Sequence, residues 1–128
     1  MRFEDASRRV ISDLVGSTSG ASGPVARGLS LALAVWPSLA TADPDGGWDL
    51  FGLDVVAAAE VLHLGLADEP DLDDLIDTAR TRTTVTRLVE TLARSLESAV
   101  SSPTADLAGQ LELNAAAGQL YRALDALA

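Results

Sequence analysis

Leu53-Asp54-Val55-Val56-Ala57-Ala58-Ala59-Glu60-Val61-Leu62-His63-Leu64-Gly65-Leu66-Ala67 decides the fold class. Past its first turn the only polar side chains are Glu60 and His63, so a helix here is apolar on nearly every face. A helix of that kind belongs in the middle of a helical assembly rather than at its edge. The turn Asp43-Pro44-Asp45-Gly46-Gly47 precedes it, and Trp48 to Phe51 leads into it.

Outward from this segment the periodicity stays helical. Upstream, Val10, Ile11, Leu14 and Val15 form a narrow stripe on a helix from about Phe3 to Val15, followed by the break Gly16-Ser17-Thr18-Ser19-Gly20. Ser22-Gly23-Pro24 reads as an N-cap with proline in the first turn, opening a helix to about Ala42 that Pro37 is expected to kink or end. Downstream, Pro70 opens a fourth helix whose apolar face carries Ile76, Val85, Leu88, Val89, Leu92, Leu96 and Val100. Thr81, Thr83, Thr84 and Thr86 are poor helix formers, so a break between Ala79 and Thr86 competes with a continuous helix. Ser101-Ser102-Pro103 repeats the cap-then-proline signal, and Leu107, Leu111, Leu120, Tyr121, Leu124 and Leu127 mark a fifth helix. There is no strand pattern and no internal repeat. The expectation is a single all-α domain over residues 1–128, a bundle of about five helices with Val55–Leu66 as its most buried segment.

Composition agrees and excludes several functions. The 128 residues suffice for one domain, and 48% hydrophobic content suffices for a core. Aromatics are only 4%, so Leu, Ala and Val must do the packing. A formal charge of −10 opposes nucleic-acid binding, and the absence of Cys removes disulfide and thiolate chemistry. All nine basic residues are Arg. The start, Met1-Arg2-Phe3-Glu4-Asp5, lacks the basic-then-apolar layout of a signal peptide. Leu29 to Ala40, interrupted by Ser30, Pro37 and Ser38, is short for a bilayer span. A cytoplasmic protein without membrane insertion is expected. Its small core favours association, as a homodimer or a heteromer, through the Ala- and Leu-rich exposed part of the last two helices.

The chemistry-bearing residues are few. Asp68-Glu69-Pro70-Asp71-Leu72-Asp73-Asp74 places Asp71 and Asp74 one helical turn apart, a pair able to hold Mg²⁺ and through it a diphosphate. Acids at a helix start also stabilise the macrodipole, and that reading stands beside the first. Glu60 and His63 share a helix face, as in half of a di-metal carboxylate site. Only a homodimer could supply the second half, with Glu90 and Glu97 as further donors; the alternative is a polar pair buried in the core. Arg80, Arg82 and Arg87 suit either an anion or a salt-bridged face. No Gly-rich phosphate loop, nucleophile elbow or Ser/His/Asp arrangement is present.

Ala57-Ala58-Ala59-Glu60-Val61-Leu62-His63 resembles the A-x-x-E-L-L-H run of the trans-polyprenyl diphosphate synthases. Seven residues beyond that His the family begins its first DDxxD motif; the matching positions are Pro70, Asp71, Leu72, Asp73 and Asp74. Asp71 and Asp74 match two of its aspartates, and Pro70 replaces the first. Ser22 to Leu29, with Arg27, is similar in position to the family's Gly-Gly-Lys-x-Arg-Pro segment. Arg80-Thr81-Arg82-Thr83-Thr84-Val85 resembles Arg-Arg-Gly-x-Pro-Thr, and Gly109-Gln110-Leu111-Glu112-Leu113 resembles Gly-Gln-x-x-Asp. The resemblance implies Arg27, Arg80 and Arg82 as anion-binding residues and Asp71, Asp73 and Asp74 as a degenerate aspartate-rich motif. The later acids Asp106, Glu112 and Asp125 form no second motif, so it does not imply catalysis by this chain alone. It implies instead a non-catalytic subunit that pairs with a larger synthase-like subunit and shapes an isoprenoid site. A metal-binding homodimer built on Glu60 and His63, and a helical interaction module without a small-molecule site, are the alternatives.

Overall fold

A computed structural model describes residues 2–16, 22–63, 78–101 and 106–127. Within them every regular element is a helix: α1 (Phe3–Gly16), α2 (Ser22–Ala42), α3 (Trp48–Val61), α4 (Thr78–Val100) and α5 (Leu107–Leu127). The expected all-α bundle is the observed fold, and no strand occurs among the described residues.

α2 and α4 pack against each other, and each touches three other helices. α1 touches only α2 and α4, whereas α3 rests on α2, α5 rests on α4, and α3 and α5 pack together. The bundle therefore has three layers, with the α2–α4 pair in the middle, α1 on one side and the α3–α5 pair on the other. Leu29, Val35 and Leu39 of α2 and Val85, Leu88, Val89 and Leu92 of α4 form the centre, closed by Phe3 of α1, Phe51 and Val55 of α3 and Leu120 of α5. Each such aliphatic side chain stabilises the fold by roughly 1.5–3 kcal/mol through burial.

α3 brings the apolar run into this core through Trp48, Phe51, Val55, Ala58 and Ala59. It does so with one face only. Because α3 lies in an outer layer, Leu50 and Leu53 remain 62% and 61% exposed. The helix also stops earlier than its apolar sequence suggests. Val61 is its last residue, Leu62 is its C-cap, and His63 adopts a left-handed conformation with φ 55°. The expected continuation from 64 to 67 falls outside the described residues.

α4 runs unbroken from Thr78 to Val100. The threonine run stays helical because Thr81 and Val85 are buried in the core, while Thr83, Thr84 and Thr86 satisfy their hydroxyls on the carbonyls of Ala79, Arg80 and Arg82, at 3.1, 2.9 and 2.8 Å. α2 likewise passes through Pro37 to Ala42, with the Thr41 hydroxyl donating to the Pro37 carbonyl at 2.8 Å. By length and composition alone, Pro24–Ala42 would reach across a bilayer; in the fold it packs on α1, α3 and α4. α5 starts at Leu107, capped by the Asp106 carboxylate, which accepts from the Gly109 N–H at 2.7 Å.

Candidate interaction face

The sequence-predicted polar residues do not converge. Glu60 and His63 are both exposed, so they are not the polar pair buried in the core that one reading required. His63 turns toward α5, where its Nε2 lies 3.5 Å from Oε1 of Glu112. Glu90 accepts from Arg94 at 2.6 Å, and Glu97 accepts from the Tyr121 hydroxyl at 3.0 Å. Glu60, His63, Glu90 and Glu97 thus form no common donor set, and no group of three or more His, Asp or Glu able to hold a metal occurs among the described residues. Asp71, Asp73 and Asp74 lie outside the described residues.

The three candidate anion-binding arginines separate. Arg27 of α2 pairs with Asp13 of α1 at 2.8 Å. Arg82 of α4 donates to the Leu127 carbonyl at 2.7 Å and lies 3.8 Å from Asp43, so it ties the end of α5 to the turn before α3. Arg80 lies on the other side of the bundle, along a groove between α1 and α4. Ala58 and Ala59, which face the core, are buried at 0% and 3% exposure.

What the α3–α5 layer does expose is apolar. Five large hydrophobic side chains stand in solvent among the described residues, and four of them, Leu50, Leu53, Leu107 and Leu111, belong to this layer. On α5, Leu107 and Leu111 point away from the core-facing Ala116, Leu120 and Ala123. Helical geometry explains the split: Leu107 and Leu120 are separated by about 220° around the helix axis, which puts them on opposite faces. Reading all the α5 leucines as core misses this; counting the rotation finds it. Further along the exposed side of α5, Ala115 and Gly118 keep the surface low, and a side chain at Gly118 would meet open space.

Charge frames this surface unevenly. Asp49 and Glu60 on α3, with Glu112 and Asp125 on α5, are exposed, and Arg122 is the one basic residue of the two helices. An apolar surface with an acidic rim can bury its leucines against a protein whose own apolar surface is bordered by basic groups. No family model, no curated protein and no solved structure matches this chain.

Proposed function

We propose that this protein is a non-catalytic helical subunit that acts by binding another protein through the outer face of its α3–α5 layer. The observation that carries the reading is that Leu50 and Leu53, near the start of α3, and Leu107 and Leu111, near the start of α5, all stand exposed on one outer layer, one pair toward each end of it. Exposed leucines at these positions contribute nothing to the core and favour burial in a partner. A second copy is the less suitable occupant, since self-association would bring two acidic rims of chains carrying −10 each against one another. A different protein with a basic rim meets no such repulsion. The resemblance around Val55 to Asp74 supports a larger synthase-like subunit as that protein, with this chain adjusting its isoprenoid site rather than supplying metal ligands.

The test is co-expression of the full chain with a trans-polyprenyl diphosphate synthase from the same cells, followed by sedimentation of the purified mixture. A stoichiometric complex is expected, and Leu107→Glu with Leu111→Glu should dissolve it while leaving the helical circular dichroism signal intact. Failure to form the complex, or a complex indifferent to both substitutions, would sink this reading.

A further inference from the structure

α3 and α5 run antiparallel. The Ala126 carbonyl packs against Gly47 at one end of the pair, and the His63 Nε2 lies 3.5 Å from Oε1 of Glu112 at the other. Leu50 and Leu53 therefore stand toward one end of the layer, and Leu107 and Leu111 toward the opposite end. At 1.5 Å per residue, the two pairs are separated by about 20 Å along the helix axes. Between them the surface is low. Ala57 and Val61 of α3 are half-buried, Ala115 and Gly118 of α5 are exposed, and none of the four is larger than valine. A side chain added at Gly118 would meet open space. The layer thus presents a shallow apolar trough, raised at both ends by leucines.

The recurring ways in which one chain docks on another narrow the occupant of such a trough. Strand addition needs an unpaired sheet edge, and the backbone of α3 and α5 is bonded along each helix. A polyproline segment needs a groove lined by exposed aromatic rings. Trp48 and Phe51 of α3 are buried, and Tyr121 of α5 donates its hydroxyl to Glu97 of α4. A phosphorylated or acidic segment needs clustered basic groups, whereas the layer sets Asp49, Asp54, Glu60, Glu112 and Asp125 against Arg122 alone. An amphipathic helix with basic flanks meets every condition. Its apolar stripe lies along the trough with bulky residues over Ala57 and Ala115, and its flanks meet the acids. Four turns, about 14 residues, reach from one leucine pair to the other.

We infer that the outer face of the α3–α5 layer seats one basic amphipathic helix of a partner protein, laid across both leucine pairs. The inference rests on the proposed subunit role only in taking this face as the docking face. It names the element that docks, whichever protein carries it.

A labelled synthetic peptide of about 18 residues, with leucines at helical spacing and lysines on both flanks, is the probe. Mixed with the full chain, it should bind one-to-one by fluorescence anisotropy and gain helical circular dichroism signal. The same residues in scrambled order, or glutamates in place of the lysines, should abolish binding. Leu53→Arg at one end, Leu111→Arg at the other and Ala115→Arg between them should each weaken binding about tenfold or more. Ser12→Arg adds the same charge to an exposed position on α1, in the opposite layer, and should leave the affinity unchanged. Absence of saturable binding at hundreds of micromolar peptide overturns the inference, as does equal binding of the scrambled peptide. Weakening by Ser12→Arg as large as by Ala115→Arg overturns it too, and so does loss at one end of the layer only. A synthase complex that Leu107→Glu with Leu111→Glu dissolves, on a chain that ignores the peptide, sinks the helix and leaves the subunit role standing. Peptide binding with this pattern of losses, on a chain that forms no synthase complex, upholds the helix and sinks that role.

Discussion

Gly52 carries no side chain because the indole of Trp36 occupies that space; a Cβ there would overlap the six-membered ring. Trp36 is held in place by its Nε1, which donates to the Trp48 carbonyl at 2.7 Å. Gly52→Ala must push the ring outward and break this bond, and even with alanine's better helix propensity it should destabilise the fold by about 1–3 kcal/mol in urea denaturation. A neutral or stabilising result would show that the indole is free to move. Gly47 is constrained twice, by its left-handed φ of 79° and by the carbonyl of Ala126 packed against it. Tyr121, the only tyrosine, is a pH probe. Partial burial pushes its phenol above the usual 10.0, and the hydrogen bond to Glu97 with the charge of that carboxylate adds to the shift. The protonated form is the one the fold favours, so its contribution is complete below pH about 10. It is lost as the pH climbs from there through the raised folded value, because the unfolded chain releases its proton first. Ultraviolet titration of the folded protein should show a midpoint above that of the unfolded chain, and Tyr121→Phe should flatten the alkaline loss of stability. Coincident midpoints would contradict this.

At the scale of elements, α5 is secured at both ends by side chains outside its own apolar face. Asp106 caps its first turn, and Arg82 reaches from α4 to the Leu127 carbonyl in its last. Asp106→Ala and Arg82→Gln should each cost about 1 kcal/mol, measured by urea denaturation. The two sites are about 30 Å apart along the helix, so the double variant should lose the sum. Marked non-additivity would mean that the ends of α5 are coupled through the bundle. The starts of α1 and α2 were legible in the sequence, the latter from Ser22-Gly23-Pro24. The stop of α3 was not. It turns on His63, and neither Gly nor Pro stands at 62 or 63 to announce it. Histidine tolerates the left-handed conformation better than most residues, and its contact with Glu112 across to α5 exists only in the assembled layer. The threonines of α4 were equally opaque, since the burial of Thr81 and Val85 that outweighs their unfavourable propensity exists only in the packed bundle.

For the whole molecule, the three layers leave the outer surface of α3–α5 with exposed leucines that the core does not use. Leu107→Glu with Leu111→Glu should therefore shift the melting temperature by only a few degrees, because exposed substitutions typically change stability by less than about 0.5 kcal/mol each. A collapse of the melting transition would place those leucines in the fold rather than on its surface. The sequence by itself determined the class of structure. Helical periodicity, few aromatics and proline and glycine at the breaks leave no route to a sheet, because such signals act within a few residues of themselves. Which leucines stay in water, and that Glu60 and His63 stand outside the core, were decided by the tertiary structure alone. Each depends on which helix covers which face, and layer order is settled by contacts between segments far apart in the chain.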